Sequence, residues 1–178
     1  CPSTLGMKNL ASKNFLEMPR ERLLDYLTYQ VSAFFPDGSA NTRDQLAEIF
    51  DEAVGRLFFC ASKAKYWHEK GFHPLHSDKN AAFLYYLANS LHRHGGDRIL
   101  CEKLFYLNKA LNGFHCFLDA ELLDIFFIAH SVGVVLGRLK YPRYLVLCQG
   151  ITIGAENGIE PVIDEGVILY PGSSIIGR

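Results

Sequence analysis

Apolar residues follow two different rhythms along this chain. From about residue 19 to 113 they recur at steps of three and four, the spacing that lines one face of an α-helix. Pro19, ahead of Arg20-Glu21-Arg22, opens a first helix whose inner face is Leu23, Leu24, Leu27 and Val31, and Phe34-Phe35-Pro36 closes it. Asp37-Gly38-Ser39 then offers turn residues. A second helix begins near Asn41 or Thr42 and runs to about Trp67, with Leu46, Ile49, Phe50, Val54, Leu57 and Phe58 on its buried stripe. The stretch from Gly71 to Pro74 breaks the pattern, and Ser77 or Asp78 caps a third helix with Phe83, Leu84, Leu87 and Leu91 inside, stopped by Gly95-Gly96. Asp97 caps a fourth, with Leu100, Leu104, Leu107 and Leu111 inside and Asn112-Gly113 as terminator. Residues 1–18 show no strong period. The first residue is Cys, which leaves Met7 as a candidate natural start.

Beyond a hinge from Phe114 to Leu123 the rhythm changes to six. Leu147 and Ile153 make one pair, and Ile163, Leu169 and Ile175 make a longer run. Gly154 follows Ile153, while Gly166 and Gly172 each lie three residues beyond an aliphatic. A step of six fits neither a helix nor a plain alternating strand. It suits a solenoid in which each hexad makes one flat parallel strand and a corner, the aliphatic pointing inward and the small residue letting the corner close. Ordinary strands and turns could fall into such a register by chance, but five in-phase positions favour the solenoid. The expected fold class is α+β, with a helical domain over 1–113 followed by a parallel β-helix over 114–178. The repeat is still in phase at Ile175-Ile176-Gly177-Arg178, so the solenoid looks short at its carboxyl end.

Bulk properties narrow the function classes. The chain has 178 residues, 49% hydrophobic and 21% charged, enough to build a core. A net charge of −1 argues against a nucleic-acid partner held by phosphate neutralisation. Apolar runs are too short to span a bilayer and no leader pattern is seen, so no membrane partner is expected. Five cysteines, none in a Cys-x-x-Cys pair, fit a reduced cytoplasmic setting, with Cys60, Cys101 and Cys148 as small buried hydrophobes. His73 with His76, and His92 with His94, lack a cysteine or acidic partner at zinc spacing, so no metal is expected. Phosphate-loop and Gly-x-Ser-x-Gly nucleophile motifs are absent.

His130 opens the segment His130-Ser131-Val132-Gly133-Val134-Val135-Leu136-Gly137, which is followed by Gln149-Gly150-Ile151-Thr152-Ile153-Gly154. Together with Pro161 to Tyr170 and Gly172-Ser173-Ser174-Ile175-Ile176-Gly177, these residues resemble the hexapeptide-repeat acyltransferases. Within them the chain is most similar to the serine acetyltransferases and their surface-polysaccharide relatives. The resemblance covers about the last third strongly and the helical part in general layout. It implies a left-handed β-helix and acetyl-CoA as co-substrate, with no metal. It implies a small-molecule acceptor with a hydroxyl, and a homo-oligomer, trimer or dimer of trimers, because sites form between adjacent prisms. His130 takes the place of the general base in direct attack of the hydroxyl on the thioester, a task suited to imidazole with its ordinary pKa of about 6.5. The resemblance places CoA against the small-residue corners, at Thr152, Gly154, Ala155, Gly172 and Ser173. Arg138, Lys140 and Arg143 could meet its phosphates or stand solvated.

The chain also departs from that pattern. His115 stands where the family has the Asp that orients the base, and Asp119, Glu121 and Asp124 are the other acids within reach, Asp119 by a shift of register. The family's Asp before the base is Ala129 here, and its later Arg-His pair is missing from the short loop Glu156-Asn157-Gly158-Ile159-Glu160. Three readings stay open: O-acetylation of L-serine for cysteine biosynthesis, O-acetylation of a sugar or surface-polysaccharide precursor, and an inactive or truncated scaffold.

Overall fold

Residues 15–177 are described by a computed structural model; Cys1, Met7 and Arg178 lie outside that span. Helix α1 (Arg20–Phe34) starts on Pro19, as its fixed backbone angle favours, and buries Leu23, Leu24, Leu27 and Val31. Helix α2 (Thr42–Lys63) ends earlier than the apolar pattern suggests. Ala64 turns extended, and a single turn, α3 (Lys65–His68), follows to bury Trp67. Helix α4 (Ser77–Arg93) is capped by His76 rather than by Ser77 or Asp78, its ring accepting the Lys79 N–H. Helix α5 (Arg98–Asn112) begins on the Asp97 carboxylate, bonded to the Leu100 N–H at 2.8 Å, and ends on Gly113 in the left-handed region. Leu111, expected inside, is exposed, because the α5 stripe narrows toward its last turn.

α4 departs furthest from a one-faced helix. Every residue from Lys79 to Leu91 is buried, its polar ones included. It packs between α2 and α5 on one side and touches the strands on the other. Lys79 survives burial by donating to the Lys70 and Gly71 carbonyls, and Asn108 of α5 donates to the Ala81 carbonyl. Among the described residues no helix is long and apolar enough to cross a membrane.

The chain then winds as a parallel β-solenoid of three turns and the start of a fourth. Strands β1 (Phe114–Cys116), β4 (Val134–Leu136), β7 (Thr152–Gly154) and β9 (Ser174–Ile176) stack as one face. Strands β3 (Phe126–Ile128), β6 (Leu145–Leu147) and β8 (Ile168–Leu169) form another, and β2 (Glu121–Leu122) pairs with β5 (Lys140–Tyr141) on the remaining one. All pairs are parallel. Leu147, Ile153 and Leu169 lie inside as the period of six requires, and Ile163 and Ile175 are partly buried against the same core. The stretch from Phe114 to Leu123, expected as a hinge, is instead the first coil, carrying β1 and β2. In the third turn no strand continues the β2–β5 face: Glu156 and Ile159 close a tight antiparallel bridge, and residues 155–160 are exposed.

Helices and solenoid share one core. Phe126 packs its ring against Tyr85 and Tyr86, and the Cys60 thiol donates to the Phe126 carbonyl at 3.0 Å. Burial pushes that thiol up to about 11, keeping it neutral. Cys101 and Cys116 are buried too, while Cys148 is only partly covered. Tyr85 donates its hydroxyl hydrogen to the Ala120 carbonyl at 2.8 Å and accepts the Leu122 N–H at 3.0 Å, and Asn89 donates to the Leu118 carbonyl.

At the corner ahead of the β1–β4–β7–β9 face, Gly113, Gly133, Gly150 and Gly172 all have positive φ. A Cβ on Gly133 would stand 3.3 Å from the Gly150 Cα, so the positive φ disfavours a side chain and the next coil leaves it tight.

Two stability predictions follow from these contacts. Tyr85→Phe strands the buried Ala120 carbonyl and Leu122 N–H and is expected to cost about 2 kcal/mol. Gly133→Ala is expected to cost at least about 1 kcal/mol through its left-handed backbone. Denaturant unfolding of each variant against the parent measures both.

Candidate active site

Strand register locates an irregularity at His130. Ile128 pairs with Leu147 and Leu147 with Leu169, while the following face stacks Val135, Thr152 and Ser174. The corner between these faces takes three residue steps from Leu147 to Gly150 and three from Leu169 to Gly172, but five from Ile128 to Gly133. The lowest corner therefore carries two extra residues. His130 stands on this longer corner with its side chain exposed.

The corner is bonded along its margins. Ala129 N–H donates to the Leu147 carbonyl at 2.8 Å, Gly133 N–H to the Gly113 carbonyl at 3.0 Å, and Gly150 N–H to the Val132 carbonyl at 2.9 Å. Ser131 is buried, and its N–H donates to Asp78 Oδ1 at 2.9 Å, across to the first turn of α4. Among the described residues the His130 ring has neither a hydrogen bond nor an ion pair.

The other sequence candidates divide between this edge and elsewhere. Thr152 and Gly154 lie on β7, Ala155 just after it, and Gly172 and Ser173 at the corner two coils above His130. Thr152 N–H donates to the Ser173 carbonyl at 3.0 Å, and Gly177 N–H to the Gly154 carbonyl at 3.0 Å. Thr152, Gly154, Gly172 and Ser173 share the solenoid face and corner that His130 opens, and Ala155 lies at the far end of that face. His115 lies on β1 in register with Val135, on the same face. Its ring packs edge-on against Phe105 at 5.2 Å and Phe117 at 4.8 Å. Burial and then the nearby Lys109 charge lower its pKa below 6.5 and favour the neutral ring.

Asp119 sits at a different corner, between β1 and β2, where Arg138 Nε lies 3.4 Å from its carboxylate. Glu121 pairs with Lys140 in the coil above at 3.5 Å. These pairs occupy Arg138 and Lys140, although at such exposure they add little stability. Asp119, Glu121 and Asp124 line one side of a cleft of about 590 Å³, with Arg56, Asn89 and Arg93 on the other. His130 lies outside that cleft.

Asp78 is what reading the sequence missed at this edge. It has the look of a helix-capping residue, and its partner Ser131 is 53 positions away. No local signal could have paired them.

No protein-family profile matches the chain, and no curated protein sequence matches it. The fold does match solved structures. A serine O-acetyltransferase from Brucella melitensis superposes with a TM-score of 0.66 at 19% identity, over 98% of this chain and 74% of that one. A serine acetyltransferase bound to CoA gives 0.54 at 17% identity, over 97% of this chain and 69% of its own. Serine acetyltransferase isoform 3 of Entamoeba histolytica, in complex with cysteine, gives 0.60 at 18% identity, over 89% of this chain, which spans 60% of that protein's length. The helical region followed by a parallel β-solenoid is thus the fold of the serine acetyltransferases.

Proposed function

We propose that this protein transfers an acetyl group from acetyl-CoA to a hydroxyl of a small-molecule acceptor, with His130 as the general base. The observation that carries the reading is the exposed imidazole on a lengthened corner, at the head of the glycine-cornered solenoid face, in a fold shared with serine acetyltransferases. The acceptor oxygen attacks the thioester carbonyl as imidazole takes its proton. The C–S bond breaks, and the proton passes to the departing CoA thiolate. CoA lies along Thr152, Gly154, Ala155, Gly172 and Ser173, whose backbone groups and small side chains permit close approach. The exposed surface around His130 is covered by a second copy in a trimer or dimer of trimers, since a single prism leaves His130 open to solvent.

L-serine is the first acceptor to test. A sugar hydroxyl is the second reading, favoured by two local features: Ala129 puts no carboxylate beside His130 for an amine, and the tight Glu156–Ile159 turn brings no Arg-His pair. His115 acts in neither case as a charged orienting partner. Its ring supplies packing, edge-on against the stacked Phe105 and Phe117.

Release of CoA thiol from acetyl-CoA, measured with L-serine and with a nucleotide sugar, tests the activity. His130→Ala is expected to lower the rate by about 10²–10⁴-fold with the elution volume unchanged. Turnover surviving in that variant would refute the base, and no turnover with either acceptor in the parent would favour an inactive scaffold. A separate titration addresses His115. Because its folded pKa is depressed, its contribution to stability is intact above the unfolded value of about 6.5 and lost as pH falls below it. His115→Gln is therefore expected to lose less thermal stability than the parent between about pH 7.5 and 5.5, read by melting curves.

A further inference from the structure

We infer that Asp78 is the positioning residue for His130, holding from the helical side the corner that presents the imidazole. The inference rests on the reading of His130 as the base and names the group that fixes its place.

Two inserted residues bring conformational freedom that the tighter corners above do not have. The coil-to-coil bonds secure Ala129 on one side of the insertion and Val132 with Gly133 on the other. His130 and Ser131 lie between them, with the Ser131 carbonyl accepting the Val134 N–H at 3.2 Å and no coil-to-coil bond holding either residue. Ser131 is 2% exposed, so water cannot serve its backbone N–H, and a buried amide without an acceptor is costly. Asp78 Oδ1 meets that amide at 2.9 Å, and a carboxylate is a stronger acceptor than a neutral oxygen. Asp78 is available for this because His76 takes the capping duty at the same helix end.

The support behind Asp78 is rigid. It stands at the start of the helix buried from Lys79 to Leu91, which also bonds the first coil through Tyr85 and Asn89. One helix therefore fixes both the coil and the longer corner. The arrangement suits a base whose family positions for carboxylates hold His115 and Ala129: with no acid on its ring, the imidazole depends on its backbone for placement.

Asp78→Ala and Asp78→Asn separate this role from bulk folding, since the Asn side-chain oxygen can still accept the Ser131 N–H. Three readouts are compared with the parent: hydrogen exchange at the Ser131 amide, melting temperature, and kcat with KM for acetyl-CoA in the thiol-release assay, using L-serine or a nucleotide sugar, whichever the parent accepts. In Asp78→Ala the Ser131 amide is expected to exchange at least ~10-fold faster. Its kcat is expected to fall about 10²-fold with KM for acetyl-CoA within about twofold. Asp78→Asn is expected to keep the protection and to stay within about tenfold in kcat. Unchanged exchange and kcat in Asp78→Ala would overturn the inference. So would a loss in Asp78→Asn as deep as in Asp78→Ala, or a loss explained by the unfolded fraction. A parent that releases no thiol with either acceptor would sink the proposed function instead, and Ser131 exchange would still decide whether Asp78 holds the corner.

Discussion

A parallel solenoid has an unsolved problem at its first coil: the coil's outer side has no neighbouring coil to take its peptide groups or cover its apolar residues. Here helix α4 solves both. Tyr85 and Asn89 meet the Leu118 and Ala120 carbonyls and the Leu122 N–H, and the Tyr85 and Tyr86 rings cover Phe126. This explains why α4 is buried on every side with its polar groups inside. A polar atom is tolerable in the interior when it has a partner: the first coil serves Tyr85 and Asn89, the Lys70 and Gly71 carbonyls serve Lys79, and Glu52 serves Ser90, while the Tyr86 hydroxyl is buried without a partner among the described residues. The helices and the solenoid are therefore joined by matched hydrogen bonds as well as by shared apolar surface.

The same junction reaches the candidate chemistry. The edge that carries His130 also carries the stacked glycine corners and the small residues proposed for CoA. The groups expected to help the base do not reach it: Asp119 is paired with Arg138 at another corner, and His115 packs edge-on against the stacked Phe105 and Phe117 rings. The site as built has an imidazole whose corner is held by backbone hydrogen bonds and by the Asp78 carboxylate.

Much of this was legible in the sequence because it follows local rules. Pro19, Asp97 and Gly113 mark helix ends by their own backbone chemistry, and each did so here. The in-phase Leu147, Ile153 and Leu169 point inward because a repeat of six commits them to it. The failures share a cause as well. The break at Ala64, the capping by His76 and the exposure of Leu111 depend on how the helices pack. The first coil at Phe114 to Leu123 reads as a hinge because its inward positions, Phe114, Cys116, Ala120 and Leu122, are not a run of aliphatics and so mask the step of six. The Asp78–Ser131 bond depends on two segments far apart in the chain, and a single sequence carries no trace of it.

The missing third strand of the β2–β5 face has a consequence for how this fold can vary. Continuity from coil to coil runs through the other two faces, so the exposed segment from Ala155 to Glu160 bears little of the ladder's weight. Its length can drift without shifting the register of the edge that carries His130. Relatives of this chain should differ most there, and a foreign peptide grafted between Asn157 and Gly158 has a tolerant landing place.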